Sequence, residues 1–223
     1  MQQYKQDFIK FLVKSQALKF GEFTLKSGRK APYFLNIGEF RTGSAISQLG
    51  FYYANAIEEH LKNYNLVFGP AYKGIHLAVA SVIALHEKFK KDVAYAYNRK
   101  EAKDHGEGGV LIGAPIDKNS RVVIVDDVIT AGTAMRGVLE VLKNFGPPKI
   151  EGVIVAVDRM EKGKGEKSAI QELQEEFGIN IYSIVNIDEV IEYLYGHEID
   201  GVVYIDDEKM ARIREYRAMQ GVR

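Results

Sequence analysis

Asp126 and Asp127 stand directly after the apolar run Val122 to Val125 and just ahead of a small turn, Thr130-Ala131-Gly132-Thr133. A continuous β-branched run is the pattern of a strand covered on both faces of a parallel sheet. The two carboxylates then fall at its carboxyl end, the edge along which open α/β sheets bind ligands. Neighbouring residues on a strand point to opposite faces, so at most one of the pair can simply face water and the other needs donors. Two adjacent ribose hydroxyls, or water molecules on a bound Mg²⁺, are donors suited to a carboxylate. The turn opens a helix whose apolar side carries Met135, Val138, Leu139 and Leu142. Its first amides have no partner within the helix and sit at the positive end of the helix dipole. Small side chains leave those amides open to a phosphate, and Thr130 and Thr133 add hydroxyl donors. Acids beside a phosphate cradle describe a site for a sugar phosphate.

Four further patches carry chemistry. Arg99 to Gly109 gathers Arg99, Lys100, Lys103 and His105 among glycines. So polar and Gly-rich a segment between two strands reads as a mobile loop. Such a loop is suited to closing over a polyanion, bringing cations to a departing pyrophosphate and excluding water. Tyr72-Lys73 falls in a strand-to-helix turn on the same sheet edge as the Asp pair, where a lysine can hold a diphosphate oxygen as a compact charge. Between Phe23 and Asn36, Lys26 and Phe34 could form a hood over a flat heterocycle, while Tyr33 reads as core. Asp158-Arg159 follows the apolar run Ile150 to Val157, where the arginine either pairs with its neighbour or grips a substrate carboxylate with two parallel hydrogen bonds.

The elements that must position these groups alternate along the chain. Phe8, Ile9, Phe11, Leu12 and Leu18 have helical spacing, and an interrupted β region runs from Phe23 to Ile37. A second helix, capped by Ser44, carries Ile46, Leu49, Tyr53, Ile57 and Leu61. Then come a strand at Leu66 to Phe68, an apolar helix ending near Phe89, and a strand from Val93 to Tyr97. The Asp motif follows, then a strand at Ile150 to Val157, a helix at Lys167 to Phe177, a strand at Ile179 to Val185 and short charged helices. This βαβ rhythm predicts an α/β fold. A chain of 223 residues, 46% hydrophobic, suits one domain with one substantial core. Thirty basic and thirty acidic residues cancel, which removes any general pull toward nucleic acid or anionic membrane. The absence of cysteine excludes disulfides, thiolate catalysis and Cys-based zinc sites. The start of the chain has neither the charge pattern nor the apolar core of a secretory signal, and no uncharged run is long enough to span a bilayer. A soluble, cytoplasmic protein is expected.

The run from Arg121 to Ala134 resembles the phosphoribosyl pyrophosphate signature of the type I phosphoribosyltransferases. With Lys26, Phe34, Tyr72-Lys73, the Arg99-Lys100…Lys103…His105 segment and Asp158-Arg159 in the same order, nearly the whole chain resembles the orotate-specific branch of that family. The resemblance implies the type I fold, a central mainly parallel sheet flanked by helices with a small N-terminal hood, formed mainly by residues 1–40, over the base site. It implies Mg²⁺-dependent transfer of the phosphoribosyl group from phosphoribosyl pyrophosphate to N1 of orotate, giving orotidine monophosphate and pyrophosphate. It also implies a homodimer in which the lid, residues 99–109, serves the neighbouring subunit. Carried over by position, Asp126 and Asp127 hold the ribose hydroxyls and Thr130, Ala131, Gly132, Thr133 and Ala134 the 5′-phosphate, with Val128 and Ile129 in the same phosphoribosyl pyrophosphate site. Lys26, Tyr72, Lys73 and Lys100 line the same donor site, and Arg99, Lys103 and His105 come from the partner's lid. Lys26, Phe34, Leu35, Thr130 and Arg159 contact orotate; the family often has a second aromatic where this chain has Leu35. Mg²⁺ is held mainly by the pyrophosphate, through waters on Asp126 or Asp127. The rival readings lack support in the residues. A purine or uracil enzyme needs no cation for a base carboxylate, a DNA-binding regulator needs a basic face, and a P-loop kinase needs a G-x-x-x-x-G-K-[ST] run that does not occur.

Overall fold

The computed structural model of the protein describes residues 1–25, 28–103, 109–163 and 165–222, with the backbone alone at 101–103 and 109. The chain opens with helix α1 (Gln3–Lys14), which turns Phe8, Ile9, Leu12 and Val13 inward. Leu18, expected on that helix, instead begins an antiparallel hairpin of β1 (Leu18–Thr24) and β2 (Lys30–Leu35), because the helix stops at Ser15. Helix α2 (Gly43–His60) starts one residue before Ser44. Its cap is Thr42, whose hydroxyl accepts from the Ala45 amide at 3.2 Å, and Ser44 only bonds to that hydroxyl.

From here strands and helices alternate as the hydrophobic pattern dictates. They are β3 (Leu66–Gly69), α3 (Lys73–Phe89), β4 (Ala94–Lys103), β5 (Gly109–Gly113), β6 (Arg121–Asp126), α4 (Thr133–Lys143), β7 (Lys149–Asp158), α5 (Ala169–Phe177) and β8 (Ile181–Asn186). The charged tail contributes α6 (Ile187–Leu194), a two-strand ribbon of β9 (Glu198–Ile199) and β10 (Val202–Val203), and α7 (Asp207–Gln220). Among the described residues, no helix is long and apolar enough to cross a membrane.

The central sheet has six strands in the order β5-β4-β3-β6-β7-β8, all parallel except β5 against β4. Its two faces are separate cores, and β6 shows why a run of four apolar residues was needed. Val123 and Val125 pack into the cluster built on α1, α2 and α3, while Val122 and Ile124 pack into the one under α4 and α5. The largest departure from expectation is at β4. Arg99 to Lys103, expected as a loop, prolong the strand and pair Lys103 with Gly109 after an irregularity. The parallel partner β3 stops opposite Tyr97, so this antiparallel arm stands beyond the sheet edge.

The join between β3 and α3 depends on two glycines. A Cβ on Gly69 would lie 1.9 Å from the carbonyl oxygen of Gly74, and one on Gly74 would lie 2.6 Å from the Pro70 ring. Backbone packs on backbone, which brings the first turn of α3 against the sheet edge. Gly69→Ala is expected to destabilise the protein by about 3 kcal/mol through overpacking, read as a lower urea midpoint with an unchanged slope.

Candidate active site

β3, β6 and β7 run parallel toward one sheet edge; β3 stops at Gly69 and β6 at Asp126, while β7 runs three residues past Val155, the partner of Asp126, to Asp158. Each is followed by a segment that carries polar groups, and the Asp pair lies at the centre. Asp127 is buried and well supplied. Its Oδ2 accepts from Lys73 Nζ at 2.5 Å, and its Oδ1 accepts from the Val128 amide at 2.8 Å. Asp126 is poorer in donors: its Oδ1 accepts from the Asp127 amide at 2.9 Å. Burial, reinforced by the neighbouring Asp127 charge, pushes the Asp126 carboxyl up from 3.8 to about 7. The expectation that one of the two acids needs a partner is met by Lys73, which is the first residue of α3 and not part of a turn. The strand end itself is pinned from both sides. The buried Tyr53 hydroxyl on α2 donates to the Asp126 carbonyl at 2.7 Å, and the Ala156 amide on β7 donates to the Asp127 carbonyl at 2.9 Å. His76, one turn beyond Lys73, is half-buried, and burial holds its imidazole below the usual range although Asp127 opposes that shift.

An open cleft of about 500 Å³ joins these acids to Tyr72, Lys73, Asn98, Lys100, Val128 and Ala134. Lys100 reaches in from the β4 arm, with its Nζ 4.6 Å from the centre of the exposed Tyr72 ring. Asn98, which the sequence did not single out, ties the arm to the β3 turn by accepting from the Ala71 amide at 3.0 Å. At the far side, Gly132 has a φ of 72° and α4 begins at Thr133, with Thr130, Ala131, Thr133 and Ala134 exposed. That left-handed glycine turns the chain into α4, whose first amides have no partner within the helix, and the Arg136 guanidinium packs back on the turn by donating to the Ala131 carbonyl at 3.2 Å.

A second, smaller cavity of about 70 Å³ opens beside it, lined by Ile129, Thr130, Asp158, Arg159, Arg29 and Glu161 among others. Arg159 does not pair with Asp158. Its Nε and Nη2 donate to Glu161 Oε1 at 3.1 and 2.8 Å, while the Asp158 carboxylate, the last residue of β7, accepts from the Met160 amide. Tyr33 is buried as expected, and its hydroxyl donates to Glu161 at 2.8 Å. Phe34 is 41% exposed and stacks on Phe23 of the paired strand, which is how a hairpin presents an aromatic face. Leu35 packs against the main core, and neither Phe34 nor Leu35 lines the two cavities. Arg99 is half-buried on the arm and lines neither. Lys26 and His105 lie outside the described residues, as does the side chain of Lys103. Arg29 and Glu161 were not read from the sequence, and Tyr53 was read only as part of the apolar side of the second helix. The only available signal was Arg29 and Glu161 as charges in connections that flank predicted site residues.

A strand-end acid pair, a lysine and a helix start thus share one sheet edge. Residues 45–187 match the phosphoribosyl transferase domain, which places the chain in that class. Over its full length it is 47% identical to an orotate phosphoribosyltransferase of Clostridium acetobutylicum and 51% identical to one of Cellvibrio japonicus, covering 100% and 99% of those chains. The solved orotate phosphoribosyltransferase of Francisella tularensis superposes with a TM-score of 0.85 at 39% identity, covering 97% of this chain and 100% of that one. The chain belongs to the orotate phosphoribosyltransferase family, has the type I fold of a mainly parallel sheet with an N-terminal hairpin, and carries the family's activity.

The raised Asp126 value has a direct consequence. Its folded-state value of about 7 lies above that of the unfolded chain, about 3.9, so the folded protein holds the extra proton between those values. This group therefore lowers stability as pH rises through that window. Asp126→Asn is expected to remove the decline, so the stability of the variant relative to wild type should grow from pH about 4 to about 7 and then level off, measured by urea unfolding at each pH.

Proposed function

We propose that the two cavities divide one reaction: the larger takes phosphoribosyl pyrophosphate and the smaller takes orotate, in the transfer that yields orotidine monophosphate for pyrimidine biosynthesis. The observation that carries this reading is the pairing of a donor-poor acid with a lysine-bound acid at one strand end. Asp126 and Asp127 accept from the two ribose hydroxyls, and the amides and hydroxyls of Thr130 to Ala134 hold the 5′-phosphate. Lys73, Tyr72 and Lys100 line the diphosphate side, joined by Lys26 of the hood, the segment up to about residue 40. Lys73 has two possible anions, Asp127 and the diphosphate. Its exchange between them frees Asp127 as the ribose arrives.

Cleavage at the ribose C1 builds positive charge on the sugar and negative charge on the leaving diphosphate. The chain contributes cations and positioning and needs no covalent nucleophile. Lys103, His105 and Arg99 belong to the lid that closes on the diphosphate, and the lid serves the neighbouring subunit of a homodimer. Arg159 grips the orotate carboxylate, with Thr130, Phe34 and the Leu35 backbone bounding the base. Among the described residues, no group of three or more His, Asp or Glu side chains converges on one point. Two carboxylates at one edge therefore fit a divalent cation that takes most of its oxygens from the substrate, with Asp126 or Asp127 reached through water. Bound there, Mg²⁺ would neutralise charge on the diphosphate. The likeness to orotate phosphoribosyltransferases favours a cytoplasmic enzyme.

The assay is loss of orotate absorbance with Mg²⁺ and phosphoribosyl pyrophosphate. Turnover of orotate with none of adenine, guanine or uracil supports the reading, and turnover of a purine alone would end it. Lys103→Ala is expected to lower kcat by about two to three orders of magnitude, the loss typical of a transition-state donor. For the shared lid, mixing Lys103→Ala with Asp127→Asn subunits should restore activity in hybrid dimers, since one of the two sites would then be intact.

A further inference from the structure

Glu161 is a carboxylate 8% exposed that draws donors from three side chains, Arg159 among them. Its Oε1 accepts from Tyr33 Oη at 2.8 Å and from Arg159 Nε and Nη2 at 3.1 and 2.8 Å. Its Oε2 accepts from Arg29 Nη2 at 2.7 Å. The Arg159 guanidinium also lies 5.6 Å from the centre of the Tyr33 ring, so one aromatic residue fixes both ends of the pair. Glu161 engages the Nε–Nη2 edge of Arg159, and the Nη1–Nη2 edge is the one left for a second, bidentate carboxylate. Two guanidinium groups share one carboxylate, which leaves the trio with a net charge of +1, suited to an anionic guest.

The backbone that carries the pair is held from the far end of the chain. Met160 has a φ of 48°, a strained conformation for a residue with a side chain. Its carbonyl accepts from Arg217 Nη1 at 2.7 Å and from the Val222 amide at 2.8 Å. The Lys162 amide donates to the Gln220 carbonyl at 2.8 Å, and the Gln220 side chain accepts from Arg29 Nη1 at 2.7 Å. The charged C-terminal helix, which the catalytic parts leave without a role, thus fixes the loop 159–162.

We propose that Glu161 is a positioning residue for the acceptor base: it fixes the Arg159 guanidinium so that Arg159 presents its free edge to the carboxylate of orotate. The inference rests on the reading that Arg159 takes that carboxylate. Its signature is a split between the two substrates, because the phosphoribosyl pyrophosphate cleft shares none of these contacts. Glu161→Gln keeps the shape and removes the charge. It is expected to raise the orotate KM about tenfold while the phosphoribosyl pyrophosphate KM stays within about twofold, since a hydrogen bond to a charged group is at stake on one side only. Tyr33→Phe removes one donor from Glu161 without altering charge, and should move the orotate KM in the same direction by about threefold. Should Glu161→Gln fail to fold, as a melting curve would show, Tyr33→Phe alone decides: an orotate KM equal to wild type overturns the proposal. Arg159→Gln separates the two levels. If it leaves the orotate KM unchanged, the base-site reading falls and the inference with it. If Arg159→Gln raises the orotate KM but folded Glu161→Gln does not, or raises both substrate KM values alike, the inference alone is overturned.

Discussion

A strand buried on both faces delivers its last residues to the ligand edge with little water around them, and two adjacent acids there must be solvated by the protein or by what binds. Asp127 takes Lys73 and a backbone amide. Asp126 has the amide of its neighbour, and its carboxyl is accordingly hard to ionise. Much of the surrounding architecture serves this one place. The Gly69–Gly74 contact seats α3 so that Lys73 arrives, Tyr53 and Ala156 hold the two carbonyls, and β4 overhangs the edge with Lys100. A ligand bearing neighbouring hydroxyls would supply the donors that the folded chain withholds from Asp126, which makes binding and ionisation of that acid interdependent.

Most of this was legible in the residues because the signals are local. Val122 to Val125 gave a doubly covered strand, and the strand has one core on each side. Met135, Val138, Leu139 and Leu142 gave the buried side of α4, and those four are its buried residues. Tyr33 read as core and is core. Where partners are remote in sequence, the reading stopped. Arg159 could be matched to its neighbour Asp158 or to a substrate, but Glu161 with Tyr33 and Arg29, more than a hundred residues away, leaves no periodicity to follow. The extension of β4 was missed for a related reason. Arg99 to Lys103 have poor strand composition, and pairing with β5 overrides that preference. Ser44 lost the cap of α2 to Thr42 because both residue types suit the position and only the backbone decides between them.

The two cavities answer different electrostatic tasks. The larger sets a lysine and an arm-borne cation against acids, so its local charge can rearrange as a polyanion enters. The smaller is built from a guanidinium already fixed on a buried carboxylate and an aromatic ring, and such a fixed arrangement favours one planar anion over mobile ones. Under the proposed division of the reaction, a donor whose diphosphate must leave meets the first arrangement and an acceptor recognised by its outline meets the second.

The ties from Arg217, Gln220 and Val222 to the loop 159–162 also set an order of assembly. The acids, Lys73 and the turn into α4 all come from residues 66–143, a set of successive βα units that can pack as the chain is made. The loop bearing Arg159 lacks its backbone partners until synthesis has passed Val222, more than fifty residues later. A chain stopped short of Arg217 would therefore hold the acid pair and Lys73 without the ties that fix the loop bearing Arg159.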